Sequence, residues 1–321
     1  MDFQRTDFAP LRETGYGIGF HWTTWTLPQG GRPVKPFAQA VDDFDVDAFV
    51  AQAVEAGAGH VLWTANHALH RLPAPHPEVD RILPGRTCRR DLLGEIADGL
   101  AARGIKLILY YHHGTDGPQQ DPEWQAAVGS LEADQAGFYD NYCRIVAGLG
   151  ERYGPKITAF WFDAGYALVR RGPVPWERLA EAARAGHPGR LLTYNAGVEC
   201  QDDHTPCQDY WAGEVCRLNF VPRGPQTRGG LPWYSFVSWH PDPRWPGTGE
   251  WGIGPASRDL DWPPPCVEGV VAYLRRFQAL GGTVTFNLLC YQDGSAYPTD
   301  LETMKGVKRL LLSSPEPSRP T

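Results

Sequence analysis

Apolar runs and helical patterns alternate along most of this chain of 321 residues. Seven runs of strand length lack the polar alternation of half-exposed strands, so they predict strands buried on both faces. They occupy residues 16–21, 59–65, 105–111, 157–162, 191–195, 233–239 and 282–289. Helical spacing lies between them, with Asp45 as a predicted cap and Gly57 as a predicted stop of one helix.

The strands recur at intervals of roughly 30 to 50 residues, which is typical of repeated parallel strand–helix units. We therefore predict an α/β fold, a single (β/α)8-like TIM barrel over residues 1–312, with a disordered tail over 313–321. A doubly wound open sheet is the main alternative. Gly15, Gly17 and Gly19 precede or lie within the first strand instead of in the loop after it, so they match a phosphate-binding loop poorly.

Composition narrows the classes of partner. The net charge is -7 and no basic run occurs, which argues against a nucleic acid or an anionic membrane surface. The first thirty residues show no secretory signal and no apolar run has the length of a membrane span, so we expect a cytoplasmic protein. Twelve Trp offer flat apolar faces for a small-molecule or oligosaccharide substrate, although Trp residues also fill cores.

The seven cysteines are an odd number and widely spread, which fits reduced thiols better than a disulfide framework. Cys200, Cys207 and Cys216 lie closest together, but their spacing matches no common zinc pattern. We therefore expect neither a metal nor a cofactor.

The strongest candidate for chemistry is Asp163. It ends the apolar run 157–162 abruptly and is followed by small residues that allow a loop to begin. Barrel enzymes place their chemistry at the carboxyl ends of strands, so Asp163 is a candidate nucleophile or proton carrier. The alternative is an ordinary solvated aspartate at the end of a strand.

Five segments in chain order resemble motifs of the α-L-fucosidase family, glycoside hydrolase family 29. They are GFHW at 19–22, AGAGHVLWTANH at 56–67, RDLLGE at 90–95, WFDA at 161–164 and GGTVTFNLL at 281–289. Thr23, Asn66 and Ala68 stand where the family usually has Gly, Lys and His. The resemblance covers the catalytic barrel, and the family's usual C-terminal β-sandwich is expected to be absent.

This resemblance implies a retaining exo-glycosidase that acts on α-L-fucosides or a related sugar, with Asp163 as the nucleophile. Retaining enzymes use two carboxyl groups about 5 to 5.5 Å apart, one as nucleophile and one as acid/base. The resemblance and the positions near strand ends also imply a set of substrate contacts. They are His21, Trp22, Asn66, His67, Tyr111, Trp161, Asn195 and Trp233.

The acid/base is harder to assign. The family commonly takes it from a Trp-Glu pair near the sixth strand, and the nearest match is Trp233 followed by Tyr234, whose phenol is a poor acid near neutral pH. Glu214 and Glu250 are the candidates to replace it, ahead of Glu199, and each would need a raised pKa. The alternative for each is an exposed loop residue.

Two other functions stay open. A barrel without catalysis could bind carbohydrate, and a metal-dependent enzyme could use His112 and His113 with His67 and His70. The second would need acids from several strand ends beside those imidazoles, and the clear strands offer little besides Asp163. Ala196 also replaces the Arg that commonly follows Asn195 in the family, which weakens the case for fucose itself.

Overall fold

The computed structural model describes residues 3–67, 69–115, 121–201, 205–242, 248–252 and 263–313. Within them, eight strands form one sheet in which every pairing is parallel. They are β1 Tyr16–Phe20, β2 His60–Asn66, β3 Lys106–Tyr111, β4 Ile157–Phe162, β5 Leu191–Tyr194, β6 Glu214–Val215, β7 Tyr234–Ser238 and β8 Thr283–Asn287. The order β5-β4-β3-β2-β1-β8-β7-β6 curls the sheet, which confirms the predicted (β/α)8-like barrel.

The helices of the described residues alternate with these strands. They are α1 Ala9–Arg12, α2 Phe37–Asp42, α3 Val46–Ala56, α4 Pro77–Ile82, α5 Leu92–Ala101, α6 Pro122–Val128, α7 Ala136–Tyr153, α8 Gly165–Arg171, α9 Trp176–Ala183, α10 Val267–Gln278 and α11 Pro298–Ser313. The predicted ends of α3 are confirmed, because the Asp45 side chain accepts from the Ala48 amide and Gly57 adopts a left-handed φ of 72°. Helix α11 includes Ser313, and the rest of the predicted disordered tail lies outside the described residues.

Strand β6 is absent from the sequence prediction, which took residues 233–239 as the sixth strand. The structure makes that segment β7 and places the short strand β6 before it. Two residues are too few to produce a periodic pattern, so only the tertiary pairing of Glu214 with Phe236 and of Val215 with Val237 reveals the strand.

Aromatic and aliphatic side chains fill the inside of the barrel, while the outer face of the sheet packs under the helices. The inner cluster includes Leu62, Ile108, Trp161, Tyr234 and Phe236. The glycines of β1 make room for it: a Cβ on Gly19 would lie 2.5 Å from the Phe236 ring. The glycines within β1 therefore serve packing.

The barrel has a seam between β5 and β6, which do not pair with each other. Residues 209–212 run beside β5 instead. The Asp209 amide donates to the Leu192 carbonyl at 2.8 Å, the Leu192 amide donates to Asp209 Oδ2 at 2.8 Å, and the Thr193 hydroxyl donates to the Tyr210 carbonyl at 2.7 Å. Arg184 forms an ion pair with the fully buried Asp209 side chain at 3.0 Å. One main-chain hydrogen bond and several side-chain contacts thus close the seam where a strand ladder is missing.

The amino end of the barrel is covered by the start of the chain. Phe8 and Leu11, on and beside α1, belong to the inner cluster, and the Phe8 ring lies 5.6 Å from that of Tyr210. The carboxyl ends of the strands, where the candidate residues lie, form the opposite end. No described helix combines the length and apolar character that crossing a membrane requires.

Candidate active site

Asp163 lies directly after β4 at the carboxyl end of the barrel and is partly accessible. Three donors hold its carboxylate. The Tyr110 hydroxyl donates to Oδ2, while Asn195 Nδ2 and the Ala164 amide donate to Oδ1 at 2.8 and 2.7 Å. No described Lys or Arg side chain pairs with Asp163, so within the described part of the chain the donors to this carboxylate are neutral.

The turn after Asp163 has an unusual backbone. Ala164 has φ 56° and ψ 30°, a left-handed conformation that costs a non-glycine residue roughly 1–2 kcal/mol. His113 Nε2 donates to the Ala164 carbonyl at 3.1 Å, and the His113 Nδ1 atom is 2.7 Å from the Thr115 hydroxyl. These bonds support the turn that directs the Ala164 amide at Asp163.

Glu214 is the carboxyl group that the structure brings to Asp163. It begins β6, and its Oε2 accepts a hydrogen bond of 2.7 Å from the same Asn195 Nδ2 atom that donates to Asp163 Oδ1. Because both hydrogen bonds start at Asn195 Nδ2, the distance between Asp163 Oδ1 and Glu214 Oε2 cannot exceed the sum of the two bond lengths. That limit lies below the separation of about 6.5–9.5 Å that inverting pairs of carboxyl groups need.

The environment of Glu214 favours its protonated form. Burial, followed by the nearby Asp163 charge, raises the pKa of Glu214 to about 8, and the hydrogen bond from Asn195 acts in the opposite direction. Glu214 therefore carries a proton at neutral pH. A protonated carboxyl beside a carboxylate is the arrangement that acid-assisted displacement needs.

The other two acids form no side-chain hydrogen bond with Asp163 or Glu214 among the described contacts. Glu250 is fully buried and its Oε1 accepts from the Gly252 amide at 2.7 Å, and it is not among the hydrogen-bond partners of Asp163 or Glu214. Glu199 is exposed, and its main-chain amide donates to the Glu214 carbonyl at 2.7 Å.

Three buried histidines surround Asp163. The His67 ring lies 5.8 Å from that of His21 and 4.8 Å from that of His112. His21 Nδ1 is 3.0 Å from Asn287 Oδ1, and because Asn287 Nδ2 donates to the Trp251 carbonyl, His21 is the donor in that pair. The remaining His21 nitrogen, Nε2, is then an acceptor. Burial lowers the pKa of His21 to about 4 and that of His67 well below its ordinary value, so both rings are neutral.

We tested whether these groups fit a metal ion. One donor atom each of His67, His112 and Asp163 lies within 4.8 Å of the other two, a spacing that a metal could use. However, His112 Nδ1 accepts from the Gly114 amide at 2.9 Å, which places the proton of the neutral ring on Nε2. A protonated Nε2 donates a hydrogen bond and has no lone pair for a metal. The set therefore fits a hydroxyl-bearing ligand better than a metal.

The structure separates the two tyrosines that end β3. Tyr110 faces the barrel interior, where its ring stacks on Trp161 at 5.1 Å and its hydroxyl reaches Asp163. Tyr111, which the sequence analysis selected, faces outward, with its hydroxyl 3.0 Å from His70 Nε2. Trp161 does share the face of Asp163, but it lies deeper in the interior and its Nε1 donates to the Ala212 carbonyl. It supports Tyr110 from below.

Three further predicted contacts lie elsewhere. Trp22 packs in the outer aromatic cluster, stacked on Trp63 at 5.9 Å. Trp233 precedes β7 at the amino end of the barrel, away from the strand ends, and its Nε1 donates to the Gly224 carbonyl at 2.9 Å. The Asn66 amide donates to the His112 carbonyl at 2.5 Å, so it holds the main chain of a site residue.

Tyr234 lies in the inner cluster at the amino end of β7, with its hydroxyl 2.6 Å from that of Thr285. The tyrosine that stands at the position of the family's usual glutamate is thus remote from the carboxyl ends of the strands. Sequence reasoning missed Tyr110, and it did not assign a role to the half-buried Trp251, whose ring is 5.6 Å from that of His21. The tryptophan content was the available signal for Trp251.

No protein-family model matches the chain, and no curated protein matches it. Solved structures do. A bacterial fucosidase bound to an iminocyclitol inhibitor aligns with a TM-score of 0.67 at 16% identity, over 97% of this chain and 76% of that one. The barrel fold is what they share.

Two further solved structures share the same fold. The α-L-fucosidase of Lactobacillus casei with α-L-fucose product gives a TM-score of 0.62 at 16% identity, over 95% of this chain and 98% of that one. An endo-fucoidan hydrolase of glycoside hydrolase family 107 gives 0.70 at 16% identity, over 98% of this chain and 56% of that one.

Proposed function

We propose that the protein is a retaining exo-glycoside hydrolase that acts on α-L-fucosides or a closely related neutral sugar. The observation that carries the proposal is the pair of carboxyl groups, Asp163 and Glu214, joined through one Asn195 nitrogen at the carboxyl end of the barrel. The similar structures are of enzymes whose names specify fucosidase or fucoidan hydrolase activity, which supports the choice of sugar.

In the first step, an Asp163 oxygen attacks the anomeric carbon and forms an ester to the sugar while the bond to the leaving oxygen breaks. Glu214 gives its proton to that oxygen. In the second step, Glu214 takes a proton from water, the water oxygen attacks the anomeric carbon, and the Asp163 carboxylate is released. The pKa of Glu214 falls between the steps, because the ester removes the Asp163 charge that helped to raise it.

The groups around the pair suit sugar hydroxyls. His21 Nε2 can accept a hydrogen bond from a sugar hydroxyl, and the neutral His67 ring lies beside it. Trp251 offers a partly exposed indole beside His21 for an apolar sugar face. Among the described residues, the hydrogen-bond partners of the two acids are neutral groups, which is consistent with a neutral sugar.

The test is hydrolysis of an aryl α-L-fucoside by the wild type, Asp163→Asn and Glu214→Gln. We expect Asp163→Asn to lower kcat by at least about 10³-fold, since it removes the nucleophile. With 2-fluoro-fucosyl fluoride, mass spectrometry of digested Glu214→Gln protein should find the sugar on the peptide that contains Asp163. Glu199→Gln, at an exposed neighbouring position, is the matched control and should keep wild-type rates.

Full activity of Asp163→Asn would exclude Asp163 as the nucleophile. Tight binding of fucose without turnover of any glycoside by the wild type would instead support the carbohydrate-binding barrel.

A further inference from the structure

Both polar atoms of the Asn195 side chain form hydrogen bonds within the protein. Its Nδ2 donates to Asp163 Oδ1 at 2.8 Å and to Glu214 Oε2 at 2.7 Å, and its Oδ1 accepts from the Gly197 amide at 2.9 Å. The residue is 1% exposed. The predicted substrate contact at Asn195 is therefore replaced by a contact with both acids.

The main chain of Asn195 is held as firmly as its side chain. Its amide donates to the Phe162 carbonyl at 2.8 Å, and its carbonyl accepts from the Tyr166 amide at 3.3 Å. Asn195 follows β5 whereas Glu214 begins β6, so the side-chain amide crosses the seam at which the two strands do not pair. Its two hydrogens connect an acid on each side.

We propose that Asn195 is a positioning residue that holds Asp163 and Glu214 at their working separation and stabilises the ionised Glu214 needed in the second step. This inference rests on the proposed function. An N–H donor stabilises a carboxylate more than a carboxylic acid. Removing the amide therefore raises the pKa of Glu214. The protonated side chain can still serve as the acid of the first step, but a smaller fraction of the protein carries the ionised Glu214 that the second step needs as its base.

Few other groups compete for control of Glu214. Asp163 faces it from β4, and Phe236, its partner on β7, is apolar. Cys216 directly follows β6, two residues after Glu214, and burial, as the main cause, raises the pKa of its thiol to about 12, so the thiol is neutral. Glu199 reaches Glu214 through main-chain atoms. Among the described residues, the Asn195 amide is thus the group whose hydrogen bond acts on the pKa of Glu214 against burial and the Asp163 charge.

The first measurement does not depend on turnover. In protein labelled with ¹³C at the glutamate side-chain carboxyl, the NMR signal that disappears in Glu214→Gln reports the titration of Glu214. We expect Asn195→Leu, which has a similar shape and no amide, to move that titration upward by about one pH unit, the equivalent of one hydrogen bond. Asn141→Leu is the matched control: the Asn141 amide also uses both ends in hydrogen bonds, but on α7.

The second measurement is kinetic. We expect Asn195→Leu to show a burst of aryl alcohol followed by slow turnover, with kcat and KM falling together and kcat/KM reduced less, because the second step becomes limiting. Thermal melts check folding, and Asn195→Ala gives the same two measurements if the leucine variant does not fold.

An unchanged Glu214 titration in the Asn195 variants overturns the inference, whether or not the protein hydrolyses fucosides. A shifted titration in a protein that turns over no glycoside retains the coupling of the two acids and refutes the proposed function. The two failures are therefore distinguishable.

Discussion

At the scale of single residues, two adjacent tyrosines have different surroundings. Tyr110 donates to Asp163 inside the barrel, and Tyr111 pairs with His70 on the outer side of the sheet. Consecutive residues of a strand face opposite sides, so one position decides whether a phenol reaches the site.

This pair allows a controlled test by kinetics. Tyr110→Phe removes a hydrogen bond to a charged group, a loss of about 1.5–3 kcal/mol, so we expect kcat/KM on an aryl fucoside to fall roughly 10- to 150-fold. Tyr111→Phe makes the same chemical change one residue away and should leave kcat/KM within about twofold. Equal effects of the two substitutions would contradict the placement of Tyr110.

The sequence revealed Asp163 but not Tyr110, for a physical reason. Asp163 is a lone acid after an apolar run, whereas residues 107–111 of β3 are buried on both faces and carry no alternation to indicate which tyrosine faces inward. Glu214 was recognised as one of several acids. Its approach to Asp163 depends on a hydrogen bond between residues 19 positions apart, which no local pattern encodes.

At the scale of elements, the seam between β5 and β6 depends on one buried carboxylate. Asp209 accepts from the Thr6 amide at 2.7 Å, from the Leu192 amide at 2.8 Å and from Arg184 at 3.0 Å. It therefore joins the start of the chain, β5 and the segment after α9. Removing it leaves two amides without this acceptor and Arg184 without its anionic partner, although Arg184 still donates to Gln4, Thr6 and Arg190.

We expect Asp209→Ala to lower the free energy of unfolding by about 3–5 kcal/mol, the usual effect of breaking a buried ion pair. Asp140→Ala is the control, because its ion pair with Arg178 is half exposed and should contribute about 0–1 kcal/mol. Urea unfolding followed by circular dichroism measures both. A loss below 1 kcal/mol for Asp209→Ala would show that the seam is held by other contacts.

At the scale of the whole molecule, five buried histidines among the described residues are harder to protonate than free imidazoles. Burial is the main cause that lowers their pKa values, to about 4 for His21, to about 3 for His60, and below the ordinary value for His67, His70 and His76. Below about pH 6.5 these histidines therefore bind protons in the unfolded chain more readily than in the folded protein. Lowering the pH consequently favours unfolding.

The expected result is a free energy of unfolding that falls as the pH is lowered from about 6.5 to 5, by up to about 1.4 kcal/mol per pH unit for each histidine. The raised pKa values of Glu214 and Asp209 oppose this effect, because these acids bind protons more readily in the folded protein. They are two carboxyl groups, whereas five histidines act in the other direction. Urea unfolding at pH 5, 6, 7 and 8 measures the slope.

His60→Gln should reduce this slope by more than His187→Gln, because His60 is fully buried and His187 is half-buried near the surface. A stability that does not change between pH 5 and 7 would refute the assignment of neutral buried histidines.

The architecture was more predictable than the site. Long buried strands at regular spacing were readable in the sequence, and they specify the barrel. Trp22 and Trp233 were misplaced because aromatic residues fill the outer layer of this protein as readily as its strand ends. Short β6 and the loops around it were unreadable, since their conformation depends on partners distant in sequence.

The seam has a consequence for ligands. A compound that contacts both Asp163 and Glu214 bridges the two edges of the sheet and binds only the closed barrel. A second compound of equal affinity for the native state that contacts Asp163 alone also binds the partly open barrel. The first compound should therefore raise the melting temperature more than the second. A bound sugar would then stabilise the closed barrel at the point where β5 and β6 do not pair.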